Sequence, residues 1–310
     1  MEQNSISNSE TVYFPESILN ENIKKRPKLC SIFWILSIIS WILFIGFGLS
    51  NIIIYFCKKN EDEFKFWSFI IINKEINKDN FDILIQMDNN IFIFLLLIIL
   101  IFALNQFIYF LISSIYKNIN VYDSMMGPLS KFHFFPLLCY NAVFFIGFFP
   151  TFLTSDTSFK INILVLDILI SIFGLFSLIC IYKLTKFKYE VLYKVLIIKK
   201  GTYSCLLALM VYHIGYSITV FENLLGISGR YIDRISICFS VIIGLLNLIL
   251  GLTLKDIILL YMNILIYIGI LIKITKEKLI ILVIDIIIIV IHFSSSIYLI
   301  IRSIKNGNLN

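Results

Sequence analysis

The chain has 310 residues, of which 59% are apolar and only 15% are charged. Roughly a quarter of the residues in a soluble domain are charged, so this composition excludes a water-soluble fold and predicts a surface that faces lipid. The net charge of +6 accompanies an excess of Ile, Asn and Lys that codon usage in an AT-rich genome explains, so it does not indicate a nucleic-acid partner.

Eight apolar segments have about the length of a membrane-spanning helix. Such a helix needs about 20 apolar residues to cross a ~30 Å hydrocarbon core. These long runs lack the alternation of a transmembrane β-barrel, so the sequence predicts an all-α, polytopic helix bundle. The predicted spans are Leu29–Cys57, Ile91–Tyr116, Phe132–Leu153, Ile161–Tyr182, Gly201–Phe221, Ile235–Leu254, Ile257–Ile272 and Leu279–Ile301.

The distribution of Lys and Arg predicts that both ends of the chain lie in the cytosol. The predicted parts are a polar cytosolic tail (1–28), a first four-helix unit (29–182), a basic cytosolic connector (183–200), a second four-helix unit (201–301) and a short cytosolic tail (302–310). The non-cytosolic loop 58–90 contains an apolar stretch around Trp67 that is too short to cross and is expected at the interface. The lysines of the connector are expected to attract anionic lipids.

The seventh segment is the shortest of the eight. Lys255 and Lys273 bracket it, and the residues between them are at the low edge of what a spanning helix needs. A re-entrant or tilted short helix is the alternative to a full crossing.

The two halves of the chain share a series of short matches. Spans four and eight contain INILVLDILI and LIILVIDIII, which place Asp167 and Asp285 at the same depth. Three further matches follow in the same order, namely Asn141–Gly147 with Asn263–Gly269, Asn105 with Asn247, and the Ile-Gly-aromatic triplets at Gly46 and Gly215. An even number of spans separates the copies, so the matches predict a parallel 4 + 4 duplication.

Several ionisable and polar residues fall inside the apolar spans. A charged side chain at the centre of a spanning helix costs about 2.5–3.5 kcal/mol, so such residues are expected to face the bundle interior. Asp285, His292 and Ser296 have helical spacing and share one face. The candidates for a transport pathway, or for an ion or proton relay, are Asp167, Asp285, His292, His213, Asn141, Asn263 and Glu222.

Hydrogen bonding between helices is the alternative role for the asparagines. Asn141, Asn263, Asn105 and Asn247 are expected to hold neighbouring helices together, at about 0.6 kcal/mol for each bond. For the two aspartates the sequence leaves a functional and a structural role equally open.

A transporter or channel-like protein for a small solute or ion, with proton coupling through the aspartates and His292, is the leading functional hypothesis. A receptor or organelle scaffold that acts through its loops is the alternative, and an intramembrane lipid-modifying enzyme is the third. No catalytic motif, metal-ligand spacing or cofactor fingerprint is present, so no enzyme activity, metal or cofactor is expected. The membrane (endolysosomal, endoplasmic reticulum or plasma) and the oligomeric state are left open.

Asn141 in the third span and Leu166-Asp167 early in the fourth are the basis of one resemblance. In these features the first half of the chain resembles the four-span lysosomal proteins of the transmembrane protein 192 type. The resemblance covers less than half of the chain and implies an endolysosomal membrane.

Overall fold

The computed structural model describes residues 29–58, 87–115, 134–148, 157–184, 193–225, 229–274 and 279–305. These residues form eight α-helices and no strand: α1 (Leu29–Lys58), α2 (Asn89–Ile115), α3 (Phe134–Phe148), α4 (Thr157–Leu184), α5 (Tyr193–Leu224), α6 (Gly229–Leu254), α7 (Ile257–Lys273) and α8 (Leu279–Lys305). The predicted all-α helix bundle is confirmed. Each predicted span corresponds to one helix, although α5 begins at Tyr193, inside the predicted connector.

Six of the eight helices are long and apolar enough to cross a membrane, whereas α3 and α7 are shorter. The longer helices are α1, α2, α4, α5, α6 and α8. Large apolar side chains such as Ile53, Phe173 and Ile280 are exposed on the outer faces of the bundle. A surface of this kind is typical of contact with lipid, so the chain is an integral membrane protein.

Helix α5 lies at the centre of the bundle. In its apolar stretch Gly201–Glu222, 83% of the residues are buried inside the protein. The corresponding share is 22–44% in the other five long helices. It packs against α2, α4, α6 and α7. A helix that is buried on every side belongs to the core, and α5 therefore presents its side chains to four neighbours at once.

Helix α7 runs between the two ends of the bundle. At its start the Asp256 carboxylate caps the helix, accepting from the Leu259 N–H at 3.1 Å, and also accepts from Ser204 Oγ of α5 at 2.6 Å. Near its end the Gly269 carbonyl accepts from the N–H of Asp88, just before α2, at 2.9 Å. On the predicted topology these contacts lie on opposite sides of the membrane, which favours a crossing over a re-entrant helix.

Helix pairs pack in a corresponding order in the two halves. In the first half, α1 packs against α2 and α3, and α3 packs against α4. In the second half, α5 packs against α6 and α7, and α7 packs against α8, while α6 also packs against α7 and α8. The 4 + 4 duplication stays a prediction.

Some predicted features lie outside the described residues. They are the tail 1–28, the interfacial stretch around Trp67, residues 185–192 of the connector and residues 306–310.

Candidate functional site

Asp167 of α4 and His213 of α5 form a buried pair in the bundle core. Asp167 Oδ2 lies 2.8 Å from His213 Nε2, and the side chains are 4% and 2% exposed. Ser217, one turn after His213, donates from Oγ to the same carboxylate oxygen at 3.0 Å. The other oxygen, Oδ1, is buried and has no hydrogen-bond partner among the described residues.

Close packing of α4 on α5 positions this pair. A Cβ atom at Gly174, two turns after Asp167 on the same face, would lie 2.4 Å from Cε of Met210 of α5 and 3.2 Å from Cβ of Cys139 of α3. Only glycine fits at this contact without a shift of the neighbouring side chains. The absence of a side chain there leaves room for the end of the Met210 side chain of α5 beside α4.

The Asp167–His213 pair can hold one proton without a net charge. The pair is neutral overall whether the proton is on the carboxylate or on the imidazole. Because isolated charges are costly in a low-dielectric interior, a neutral pair is the form that burial tolerates. An additional proton, or the loss of the shared one, would leave a net charge inside the bundle.

Asp285 of α8 has a different environment. Its Oδ1 accepts from Ser240 Oγ of α6 at 2.7 Å. The hydroxyl of Tyr267 of α7 donates to the main-chain carbonyl of Ser240. Asp285 is fully buried. Within the described ranges its Oδ2 has no hydrogen-bond partner, and no Lys, Arg or His forms an ion pair with it. The two aspartates therefore have different partners and do not share one.

Deeper along α8, His292 ends a directed chain of hydrogen bonds. Asn247 Nδ2 donates to Asn263 Oδ1 at 2.7 Å, and Asn263 Nδ2 lies 2.8 Å from His292 Nε2. His292 Nδ1 lies 2.8 Å from the carbonyl oxygen of Ile288. A carbonyl only accepts, so Nδ1 carries the proton and Nε2 accepts from Asn263. This network holds His292 as one neutral tautomer and links α6, α7 and α8.

The other predicted polar residues have separate positions. Asn141 is buried and donates from Nδ2 to the Ser40 carbonyl of α1 at 2.9 Å, which is the expected interhelical role. Glu222 is partly buried near the end of α5, and its Oε2 has no partner among the described residues. The prediction that Asn105 holds neighbouring helices together is wrong, because its side chain is exposed. The neighbouring Gln106 is the buried residue.

Sequence reasoning missed several residues that complete these clusters. They are Ser217, Ser236, Ser240, Asp256, Ser204 and Tyr267. Two of them had a local signal: Ser217 follows His213 by one turn, and Asp256 directly precedes an apolar helix, where aspartate is a favoured N-cap. The other four, Ser204, Ser236, Ser240 and Tyr267, had none, because their importance arises only from contacts between helices.

The side of α5 that faces α7 and the start of α2 is aromatic. Tyr212 and Tyr216 stack with ring centroids 6.2 Å apart. The hydroxyl oxygen of Tyr212 accepts from the N–H of Met87, a fully buried residue just before α2, at 3.0 Å. The chain segment that leads into α2 is thus fixed against the helix that carries His213.

Comparison with known proteins gives no relative: no family model, no curated protein and no solved structure matches this chain. Within the described residues, no group of three or more His, Cys, Asp or Glu side chains is arranged to hold a metal ion. Inferences about function therefore depend on the geometry of the buried polar clusters.

Proposed function

We propose that this integral membrane protein is a proton-coupled transporter for a small solute or ion, and that Asp167 and His213 form its protonation site. The observation that supports the proposal is the 2.8 Å pair of these two side chains, buried in the interior of a bundle whose outer faces are apolar. Carboxylates and imidazoles in membrane spans are uncommon, and proton pathways in transporters use them.

Coupling follows from the cost of charge in the bundle. Gain or loss of one proton leaves Asp167 and His213 with a net charge, which costs about 2.5–3.5 kcal/mol at the centre of a spanning helix. A solute or ion of compensating charge near the pair offsets that cost. Proton exchange is then favourable only when the solute binds or leaves, and that condition couples the two movements.

The competing interpretation is that the pair only holds α4 and α5 together. The two interpretations can be compared by the free energy that such a contact contributes. Polar contacts between spanning helices contribute about 0.6 kcal/mol on average. A carboxylate and an imidazole are costly groups to bury for a contribution of that size, and hydroxyl or amide groups such as Asn141 supply it without an ionisable group. We therefore assign the pair to proton transfer.

Proteoliposomes that contain the full chain and an internal pH-sensitive dye test the proposal. Solutes from a panel of amino acids, sugars, nucleosides, carboxylic acids and inorganic cations are added outside, with the membrane potential clamped. The wild type is expected to move protons in response to at least one solute. Asp167→Asn and His213→Gln are expected to reduce the rate roughly 100-fold, the equivalent of the charge cost above.

Ser177→Ala is the matched control on α4, because the Ser177 hydroxyl donates only within its own helix, to the Gly174 carbonyl at 2.7 Å. This variant should transport like the wild type. Solute-driven proton movement that persists at the wild-type rate in both Asp167→Asn and His213→Gln contradicts the proposal, as does a wild type that moves no protons with any member of the panel.

A further inference from the structure

The two buried aspartates differ in how their charge is balanced. Asp167 has an imidazole partner, whereas the partner of Asp285 among the described residues is the hydroxyl of Ser240. Asp285 is 0% exposed, and its Oδ2 has no partner among the residues that the structure describes. A buried carboxylate without a cationic partner is among the most unfavourable groups inside a membrane protein. A proton on Asp285, or a cation beside it, would remove that cost.

Further buried oxygen atoms lie on α6 and α7 near Ser240, the residue that donates to Asp285. Ser236 lies one turn before Ser240 on the same face of α6 and is fully buried. Its Oγ has no hydrogen-bond partner in the described part of the chain. The hydroxyl of Tyr267 is bonded to the Ser240 carbonyl, so its oxygen also lies beside this part of α6. Asp285 Oδ2 and Ser236 Oγ are thus two unsatisfied oxygens on facing helices, with the oxygens of Ser240 and Tyr267 next to them.

A close helix contact holds the cluster together. A Cβ atom at Gly244, one turn after Ser240, would lie 3.0 Å from both Ile288 Cγ2 and Tyr267 Oη. The missing side chain lets α6 approach α7 and α8 at this level. Three helices therefore converge on Asp285, as they must if several of them are to supply ligands to one small ion.

We propose that Asp285, Ser236, Ser240 and Tyr267 form a binding site for a dehydrated monovalent cation, Na⁺. Hard cations prefer carboxylate, hydroxyl and carbonyl oxygens, and this cluster offers no nitrogen or sulfur ligand. One carboxylate balances one positive charge, whereas a divalent ion would leave an excess charge in the bundle. The small number of oxygens suits Na⁺ or Li⁺ better than the larger K⁺.

Asp285 lies closer to the start of α8 than to its end. Asp285 is six residues from the start of α8 at Leu279, which corresponds to about 9 Å along the helix. For a cation that enters from this end of α8, the proposed route to the carboxylate is short. This inference goes beyond the proposed function, because cation binding at Asp285 does not depend on proton transfer at Asp167.

Binding is measured on the purified full-length protein in detergent, without any transport assay. Scintillation proximity with ²²Na⁺ gives the affinity, and the Tm is followed as NaCl replaces choline chloride at constant ionic strength and pH. The Tm should rise with the logarithm of Na⁺ concentration, because a ligand of the native state stabilises it. Li⁺ should act like Na⁺, and K⁺ should have little effect.

Asp285→Asn should abolish ²²Na⁺ binding and the Na⁺-dependent rise in Tm. Ser236→Ala should raise the Na⁺ concentration for half-maximal binding by roughly five- to tenfold, through loss of one neutral oxygen ligand. It also provides the test if Asp285→Asn does not fold. Thr253→Ala, on the same helix, is the matched control, since its hydroxyl donates to its own helix at Ile249 O.

Asp167→Asn should keep the full Na⁺ response, which distinguishes this site from the proposed protonation site. A wild type that binds no ²²Na⁺ overturns the inference, and so does unchanged binding in both Asp285→Asn and Ser236→Ala. Proton movement can fail in proteoliposomes while ²²Na⁺ binding persists, and the reverse can also occur. The failure of one proposal is therefore distinguishable from the failure of the other.

Discussion

Three aspartates are buried in the described part of the bundle, and each satisfies its carboxylate differently. Asp167 contacts an imidazole, Asp256 caps the first turn of α7, and Asp285 accepts from a hydroxyl. The imidazole provides charge balance, the cap provides backbone donors, and the hydroxyl provides only one neutral bond. Asp285 is therefore the carboxylate that most needs an external partner, although the sequence makes it look equivalent to Asp167.

Replacing a buried asparagine should destabilise the protein more than replacing an exposed one. Asn263→Ala removes bonds to both Asn247 and His292. At about 0.6 kcal/mol for each bond, and with two buried groups left unpaired, we expect a loss of about 1–2 kcal/mol. Asn105→Ala is the control and should cost close to nothing, because that side chain is exposed. Unfolding of both variants in mixed micelles measures the difference, and equal losses would contradict the assigned contacts.

The spacing of residues along one helix was predictable at this scale, and contacts between helices were not. Helical periodicity places Asp285, His292 and Ser296 on one face, and all three are buried in the structure. The same sequence gave no reason to join His213 to Asp167 or His292 to Asn263. Those contacts depend on which helices are neighbours, and hydropathy does not encode that order.

Among the helices, α5 differs from the rest in having polar and small residues all round. Thr202, Ser204, His213, Ser217 and Thr219 are all buried, although they point in several directions. A lipid-facing helix needs one apolar face, and α5 is the least apolar of the six long helices. This signal of a central helix was present in the sequence, and it explains why the candidate protonation site lies on α5.

Gly244 provides a test of the contact between α6 and its neighbours. A Cβ atom there would meet Ile288 and Tyr267 at 3.0 Å, whereas one at Gly46 of α1 would meet no atom within 4 Å. Overpacking of a tight core costs about 1–3 kcal/mol, so Gly244→Ala should lower the Tm and weaken ²²Na⁺ binding. Gly46→Ala should do neither. Matching Tm and binding values for the two variants would show that α6 is not closely packed at this level.

At the scale of the whole molecule, helix number and approximate boundaries were predictable because lipid imposes them. Backbone groups in hydrocarbon must be satisfied within the segment, so long apolar runs become helices. Lateral arrangement has no comparable rule: α4 packs against α3 and α5, whereas α8 packs against α6 and α7. Asp167 and Asp285 therefore occupy different parts of the bundle, and their matching depth does not make them one site.

Exchange of the two side chains of the buried pair tests the central claim most directly. The Tm is measured for the wild type, Asp167→His, His213→Asp and the double exchange. Breaking a buried pair by changing one partner costs about 3–5 kcal/mol, so each single variant should be strongly destabilised. The double exchange restores a carboxylate and an imidazole in contact and should recover more than half of the lost Tm. A double variant as unstable as the two losses combined would contradict the contact between α4 and α5 on which the proposed function rests.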